Sequence, residues 1–313
     1  MSSSITYPVS GHWQITRPIQ YVAEGITPAT FGVTPTSSPT FLLAAAVQDI
    51  SDVPVAQSFI KRQLGKREYY KNLLTKHLVT FELKFAPFNV TLMKYGSEPG
   101  NGTGTIDESL TFLRTQKINN AGTLTDSFTF YKGCKMASLD LNVAGKEVEV
   151  TSSWVARQKT TPVFTANGGL TTPTFKQFSD VTATPWVHLD NGTNPLTINS
   201  VTYPCTKFHV NWNNNLAIDD DVNGAEFVEA ITQGNRDITG DFEVIVGKDL
   251  GLETALNANP LPAYAATYVI KSATATVTMT DLSIKQATDA QSSGDSKTWR
   301  IGYTFEASNA VIT

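Results

Sequence analysis

Charged side chains are scarce in this 313-residue chain, at 17% of the total against about 25% in ordinary globular proteins. That shortage, with a net charge of −4, argues against a nucleic-acid-binding domain, whose footprint is basic. No apolar run approaches the ~20 residues that cross a bilayer as a helix. The first residues, Met1-Ser-Ser-Ser-Ile-Thr-Tyr-Pro, lack the basic and apolar regions of a secretory signal, so synthesis in a reducing cytoplasm is expected. Cysteine is equally sparse. Cys134 and Cys205 are then expected as buried thiols, although a disulfide between them is allowed by number.

Where charge is missing, Thr, Ser, Asn and Gly take its place, and these favour strands and turns. Alternating patterns of period two run through 79–88, 126–131, 137–143 and 147–155, with Gly145 between the last two. After residue 175 the same pattern recurs at 186–189, 197–201, 207–212, 237–246, 263–270, 275–282 and 297–306. The loop expected at 96–101 (Gly-Ser-Glu-Pro-Gly-Asn) and the turn at 119–122 punctuate the first set. Two stretches break the β pattern. From Pro54 to residue 78, an apolar stripe of Val55, Phe59, Leu64, Leu74 and Leu78 predicts a helix, whose other face is basic; a second, short helix is expected over 249–256. Prolines 8, 18, 28, 35 and 39 keep residues 5–50 extended.

The fold class expected is therefore mainly β: two tandem β-sandwich or barrel domains with extended arms. A first domain over 1–158 carries the arm and the 54–78 helix. A Thr/Pro/Gly-rich linker spans 159–175, and a second domain covers 176–313. Two echoes suggest duplication: Cys134 and Cys205 each open an alternating strand, and Ser153-Trp-Val-Ala resembles Thr304-Phe-Glu-Ala. Charge is split as well. Residues 1–160 hold 16 Lys/Arg and 12 Asp/Glu, net +4, and the remainder 8 and 16, net −8. Head-to-tail stacking of copies would use such polarity; two domains with unrelated surfaces would also produce it.

Chemistry is hard to find. The four histidines, His12, His77, His188 and His209, share no metal-ligand spacing, and neither cysteine sits in a Cys-x-x-Cys. Asp219, Asp221 and Asn223 imitate the start of a calcium loop, but its twelfth position is Ala230 where a Glu is required, so an acidic turn is the reading preferred. With no nucleophile elbow and no phosphate loop, neither a catalytic residue, a cofactor site nor a metal site is assigned, and the chain is not expected to be an enzyme.

Four segments carry a resemblance. They are Tyr21-Val-Ala-Glu24 followed by Phe31-Gly-Val-Thr-Pro35 and Pro39-Thr-Phe41; Gly133-Cys-Lys-Met-Ala-Ser-Leu139 with Val148-Glu-Val-Thr-Ser-Ser-Trp154; the Asn-rich stretch Asn211–Leu216; and Gly234-Asn-Arg-Asp-Ile-Thr-Gly240-Asp-Phe242. In this order they resemble the tail tube proteins of long-tailed bacteriophages. The 25–30 stretch lengthens the leading segment beyond the family pattern. The resemblance implies a virion structural protein whose copies form stacked rings around a lumen, a conduit for genome delivery. Implied partners are further copies of the chain, the tape-measure protein and genomic DNA in the lumen, and tail terminator and distal tail proteins at the ends. Two similar domains in one chain imply a ring of three copies that mimics six. A β-sandwich adhesion or carbohydrate-binding module is the alternative.

Overall fold

Strand Val79–Ala86 shows how alternation makes this molecule, because Val79, Phe81, Leu83 and Phe85 are buried while Thr80, Glu82 and Lys84 face solvent. A computed structural model describes residues 14–15, 17–25, 30–44, 46–53, 59–60, 73–74, 78–98, 108–120, 123–145, 147–181, 186, 195–219, 230–245, 252, 261–271, 275–288, 291–292 and 299–313. The first half contributes β1 (Gln20–Gly25), β2 (Leu42–Leu43), β3 (Ala46–Val53), β4 (Val79–Ala86), α1 (Thr91–Ser97), β5 (Ser109–Asn120), β6 (Thr123–Ala144), β7 (Glu147–Ala156) and β8 (Gln158–Lys159). The second contributes β9 (Leu196–Ile198), β10 (Val201–Tyr203), β11 (Cys205–Asn213), β12 (Asp237–Ile245), β13 (Tyr264–Lys271), β14 (Ala275–Ala287), β15 (Trp299–Ala307) and β16 (Asn309–Ile312).

All named pairings are antiparallel. A main sheet runs in the order β3, β4, β7, β6, β11, β12, β15, β14. The long strands β6 and β14 bend out of it into two flanking sheets. One is β2, β1, β5, β6, β8; the other is β10, β9, β13, β14, β16. One face of the main sheet supplies the core, with Trp154 and Trp212 fully enclosed. Ring centroids lie 4.7 Å apart between Phe112 and Trp154 and 3.9 Å apart between Phe208 and Tyr268, distances at which aromatic pairs add to area burial.

The two halves repeat one another strand for strand, β1–β8 as β9–β16, and three of their irregularities coincide. Leu110 faces Cys134 and, past a bulge, Phe112 faces Tyr131; Tyr264 faces Leu282 and, past a bulge, Ala266 faces Met279. The bulge between Val47 and Asp49 in β3 recurs between Cys205 and Lys207 in β11. That opposite Ser153/Trp154 recurs at Ile284/Gln286. Bulges re-aim strands at fixed positions, so three shared ones bind the halves to a common plan. Trp154 and Phe305 are equivalent, as the Ser153-Trp-Val-Ala echo requires. The cysteine echo is out of register: Cys134 corresponds to Leu282, and Cys205 to Val47. Those two stretches look alike because both are core strands, and they pair with each other, Val210 facing Leu141.

The helix expected over 54–78 is corrected at its described residues. Phe59–Ile60 and Leu73–Leu74 pair as antiparallel strands, and the rest of that segment lies outside the described residues. Adjacent apolar doublets flanking a basic stretch satisfy a helical stripe by coincidence, and Gly65 counts against a helix interior by about 1 kcal/mol. Among the described residues the α-helix of the first half is α1. It absorbs Gly96 and Ser97 from the expected loop, because a Cβ at Gly96 would lie 2.4 Å from Met136 Sδ, so glycine serves close helix–sheet packing. Of the expected 249–256 helix only Leu252 is described, and it is helical and buried.

The Thr/Pro/Gly-rich segment lies as a strap on the first flanking sheet. Val163 exchanges two backbone hydrogen bonds with Phe128, and Thr174 bonds Pro39 and Phe41. Its Val163, Leu170 and Phe175 cover Phe41, Leu113, Phe128 and Phe130. In the second half Thr267 and Thr278 stand where the strap covers Leu113 and Phe130, in a cross-strand row with Thr202 and Thr197.

Candidate assembly interface

The leading segment folds onto a buried carboxylate. Glu24, on β1, accepts hydrogen bonds from Gly32 N (2.8 Å), Ser109 Oγ (2.6 Å), Thr111 Oγ1 (2.5 Å) and Gly133 N (2.9 Å). Arg157 completes the arrangement, donating to Phe31 O and stacking over its ring. The Tyr-Val-x-Glu, Phe-Gly and Gly-Cys motifs are thus one physical unit: the carboxylate holds the 31–33 turn and the start of the β6 bend together.

The Asn-rich stretch and the Gly-x-Arg motif form a second unit. Asn214 donates to Met136 O, and Asn215 to Asn235 O and Asp237 Oδ2. Arg236 donates to Ser97 O and Asn309 Oδ1. Together these tie the end of α1, β6 of the first half and the final strand of the second.

Between the halves, β6 and β11 pair from Ala144↔Lys207 to Ser138↔Asn213. On the face away from the core, His209 lies 2.7 Å from Asp140 Oδ2 and 2.8 Å from Asp241 Oδ1. Lys207 pairs with Asp241 at 2.9 Å, and Asn211 donates to Asp140. The hydrogen bond to Asp140, then that to Asp241, raises the His209 pKa to about 9. Burial alone would raise Asp140, but its bonds from His209 and Asn211 outweigh that and hold it below the ordinary carboxylate range; His209 chiefly lowers Asp241. The charged imidazole therefore stabilises the fold fully below pH 6.5 and loses that contribution as pH rises through about 9. The carboxylates contribute above their ordinary pKa of about 3.9 and lose it on acidification below that. Thermal unfolding of the wild type is expected to weaken between pH 6.5 and 9.5 by on the order of 2 kcal/mol. His209→Gln is expected to flatten that decline; an equal decline in the variant would refute the assignment.

Each half leaves one main-sheet edge without a partner strand among the described residues: β3 on the outer side, and β14 beyond Leu282. Lys84–Glu149, Lys207–Asp241, Arg300–Glu243 and Lys285–Glu306 pairs lie across the polar face between them.

His12, His77 and His188 lie outside the described residues, as do Asp221 and Asn223. Asp219 faces Ala230 where two short strands, Ala217–Asp219 and Ala230–Thr232, pair antiparallel. Cys134 and Cys205 are free thiols; burial pushes Cys134 well up, and Cys205 up to about 12. Among the described residues, no group of three or more His, Cys, Asp or Glu has metal-site geometry, and no helix is long and apolar enough to cross a membrane. Sequence reasoning missed both Glu24 and the His209 cluster; a lone histidine on the polar side of a core strand was the available signal for the latter.

No curated protein matches the chain. The family model described as phage tail tube protein matches residues 26–307, a span that takes in every strand of the main sheet and the seam between the halves, and the chain belongs to that phage tail tube family.

Proposed function

We propose that three copies close into a pseudo-hexameric ring, each supplying two equivalent β modules, and that stacked rings form the tail tube that conducts the genome. The repeated strand order carries this reading. Within the chain the last main-sheet strand of the first module, β6, pairs with the first strand of the second, β11. The strands left over are the equivalent pair, β14 and β3, so one copy's β14 can take the next copy's β3 by the same geometry. Ring closure removes edges that would otherwise aggregate, and a heterologous contact of this kind closes when its rotation divides a full turn.

The polar face of the main sheet then lines the lumen, where Glu82, Asp140, Glu147, Glu149, Asp241 and Glu243 gather. Its cations are engaged with carboxylates, which discourages phosphate from adhering. Tape-measure protein and DNA occupy this lumen in turn, terminator and distal tail proteins cap the tube ends, and the protein resides in the virion after synthesis in the host cytoplasm. Imaging of purified protein by electron microscopy is expected to show rings or tubes with three copies per layer and six lobes. Six copies per layer would overturn the stoichiometry, and stable glycan-binding monomers would favour the adhesion reading.

A further inference from the structure

Duplication creates an ambiguity. Because β3 matches β11 and β6 matches β14, four seams can be drawn: β11 on its own β6, β3 on another copy's β14, and two exchanged versions. Exchanged seams would link modules of different copies into open, branched products. Resting on the ring proposed above, we propose that the Asp140–His209–Asp241 cluster is a partner-selecting clamp, which commits β11 to β6 of its own chain and leaves β3 and β14 for a second copy.

The equivalent positions carry the argument. His209 faces Asp241 across β11 and β12, as Ser51 faces Glu82 across β3 and β4. Asp140 faces Thr151 on β7; its counterpart Thr288 exchanges hydrogen bonds with Gly302 on β15. The seam within the chain thus joins a histidine to a carboxylate, and the seam between copies joins serine to threonine. Exchange spoils both. On another copy's β14, His209 meets Thr288 and loses one of its two carboxylates. On another copy's β6, Ser51 brings Glu82 beside Asp140 with no histidine between them. One exchange thus strips His209 of a partner, and the other sets two carboxylates against each other, a repulsive element of the kind that gives specificity. The other groups facing the cluster are Asn142 on β6, Asn211 on β11, Glu243 held by Arg300, and Glu149 held by Lys84. Asn211 and Glu243 stay beside His209 in either seam, whereas Asn142 and Glu149 depart with Asp140 when β11 is exchanged.

Cysteine pairs in the full chain, in a Cys205→Ser background under a mild oxidant, test the seams separately. Val53→Cys with Thr288→Cys reports the correct seam between copies and is expected to give covalent trimers. Asn211→Cys with Thr288→Cys reports one exchanged seam. Adding His209→Gln to the latter is expected to raise its intermolecular crosslinking at least tenfold. A second variant leaves the native cluster untouched: Ser51→His, with Asp49→Cys and Ala144→Cys as the reporter, is expected to promote the other exchange. Trimers from the first pair with neither exchange reporter rising would overturn the clamp while the ring stands. Failure of the first pair to crosslink would overturn the ring seam, and the clamp with it.

Discussion

Glu24→Ala is expected to cost about 4 kcal/mol of folding stability, read as a lower urea midpoint at unchanged slope. The carboxylate has four donors around it, and two of them belong to Ser109 and Thr111, buried at 1% and 0% exposure. Each unmade buried hydrogen bond costs about 1–3 kcal/mol, and a cavity-bound water recovers part of the sum. Thr111 also keeps its contact with Thr34, so the loss concentrates on the backbone amides of Gly32 and Gly133. Both glycines have positive φ, 73° and 63°, a conformation costly for other residues. Without the carboxylate, Arg157 alone is left to tie Phe31 of the turn to Gly133 at the β6 bend. A loss below about 1 kcal/mol would show that the hub is incidental.

Gly240→Ala is expected to be nearly as damaging, at about 3 kcal/mol, although it adds one methyl group. An added Cβ would lie 2.3 Å from His209 O and 2.4 Å from Phe305 Cζ. The carbonyl belongs to the β11–β12 ladder and cannot withdraw without breaking the pairing of Val210 with Gly240. The first module explains why glycine is there. At the equivalent position stands Phe81, its ring nearly parallel to Trp154 with centroids 6.3 Å apart. In the second module Phe305 replaces Trp154, and its ring fills the space over Gly240. Phe305→Leu is expected to relieve part of the clash, so the double variant should be more stable than the sum of the single losses predicts. Strict additivity in thermal unfolding would count against this reciprocal packing.

Much of the architecture was legible in the chain itself. Period-two alternation located β4, β7, β11, β12 and β15 to within a residue or two, because each has one wet and one buried face. The Ser153-Trp-Val-Ala echo marked true equivalents. Legibility failed where two periods fit the same residues, as with Phe59, Ile60, Leu73 and Leu74, and where glycine is ambiguous between a turn and a close approach, as at Gly96. It failed more deeply for long-range polar contacts. Glu24 reaches residues 109, 111 and 133, and His209 reaches 140 and 241; no local pattern encodes such distances. The motifs around Glu24 and Arg236 could be recognised by resemblance, but only the packed chain explains why those residue types occur together.

The strap over the first flanking sheet gives the two modules different exteriors among the described residues, one roofed by Val163, Leu170 and Phe175 and the other presenting a threonine row. In a ring of three copies, anything travelling through the channel would experience near sixfold symmetry, whereas anything approaching from outside would meet threefold symmetry. A decoration or receptor that recognises the threonine row would therefore bind three times per layer, at every second lobe.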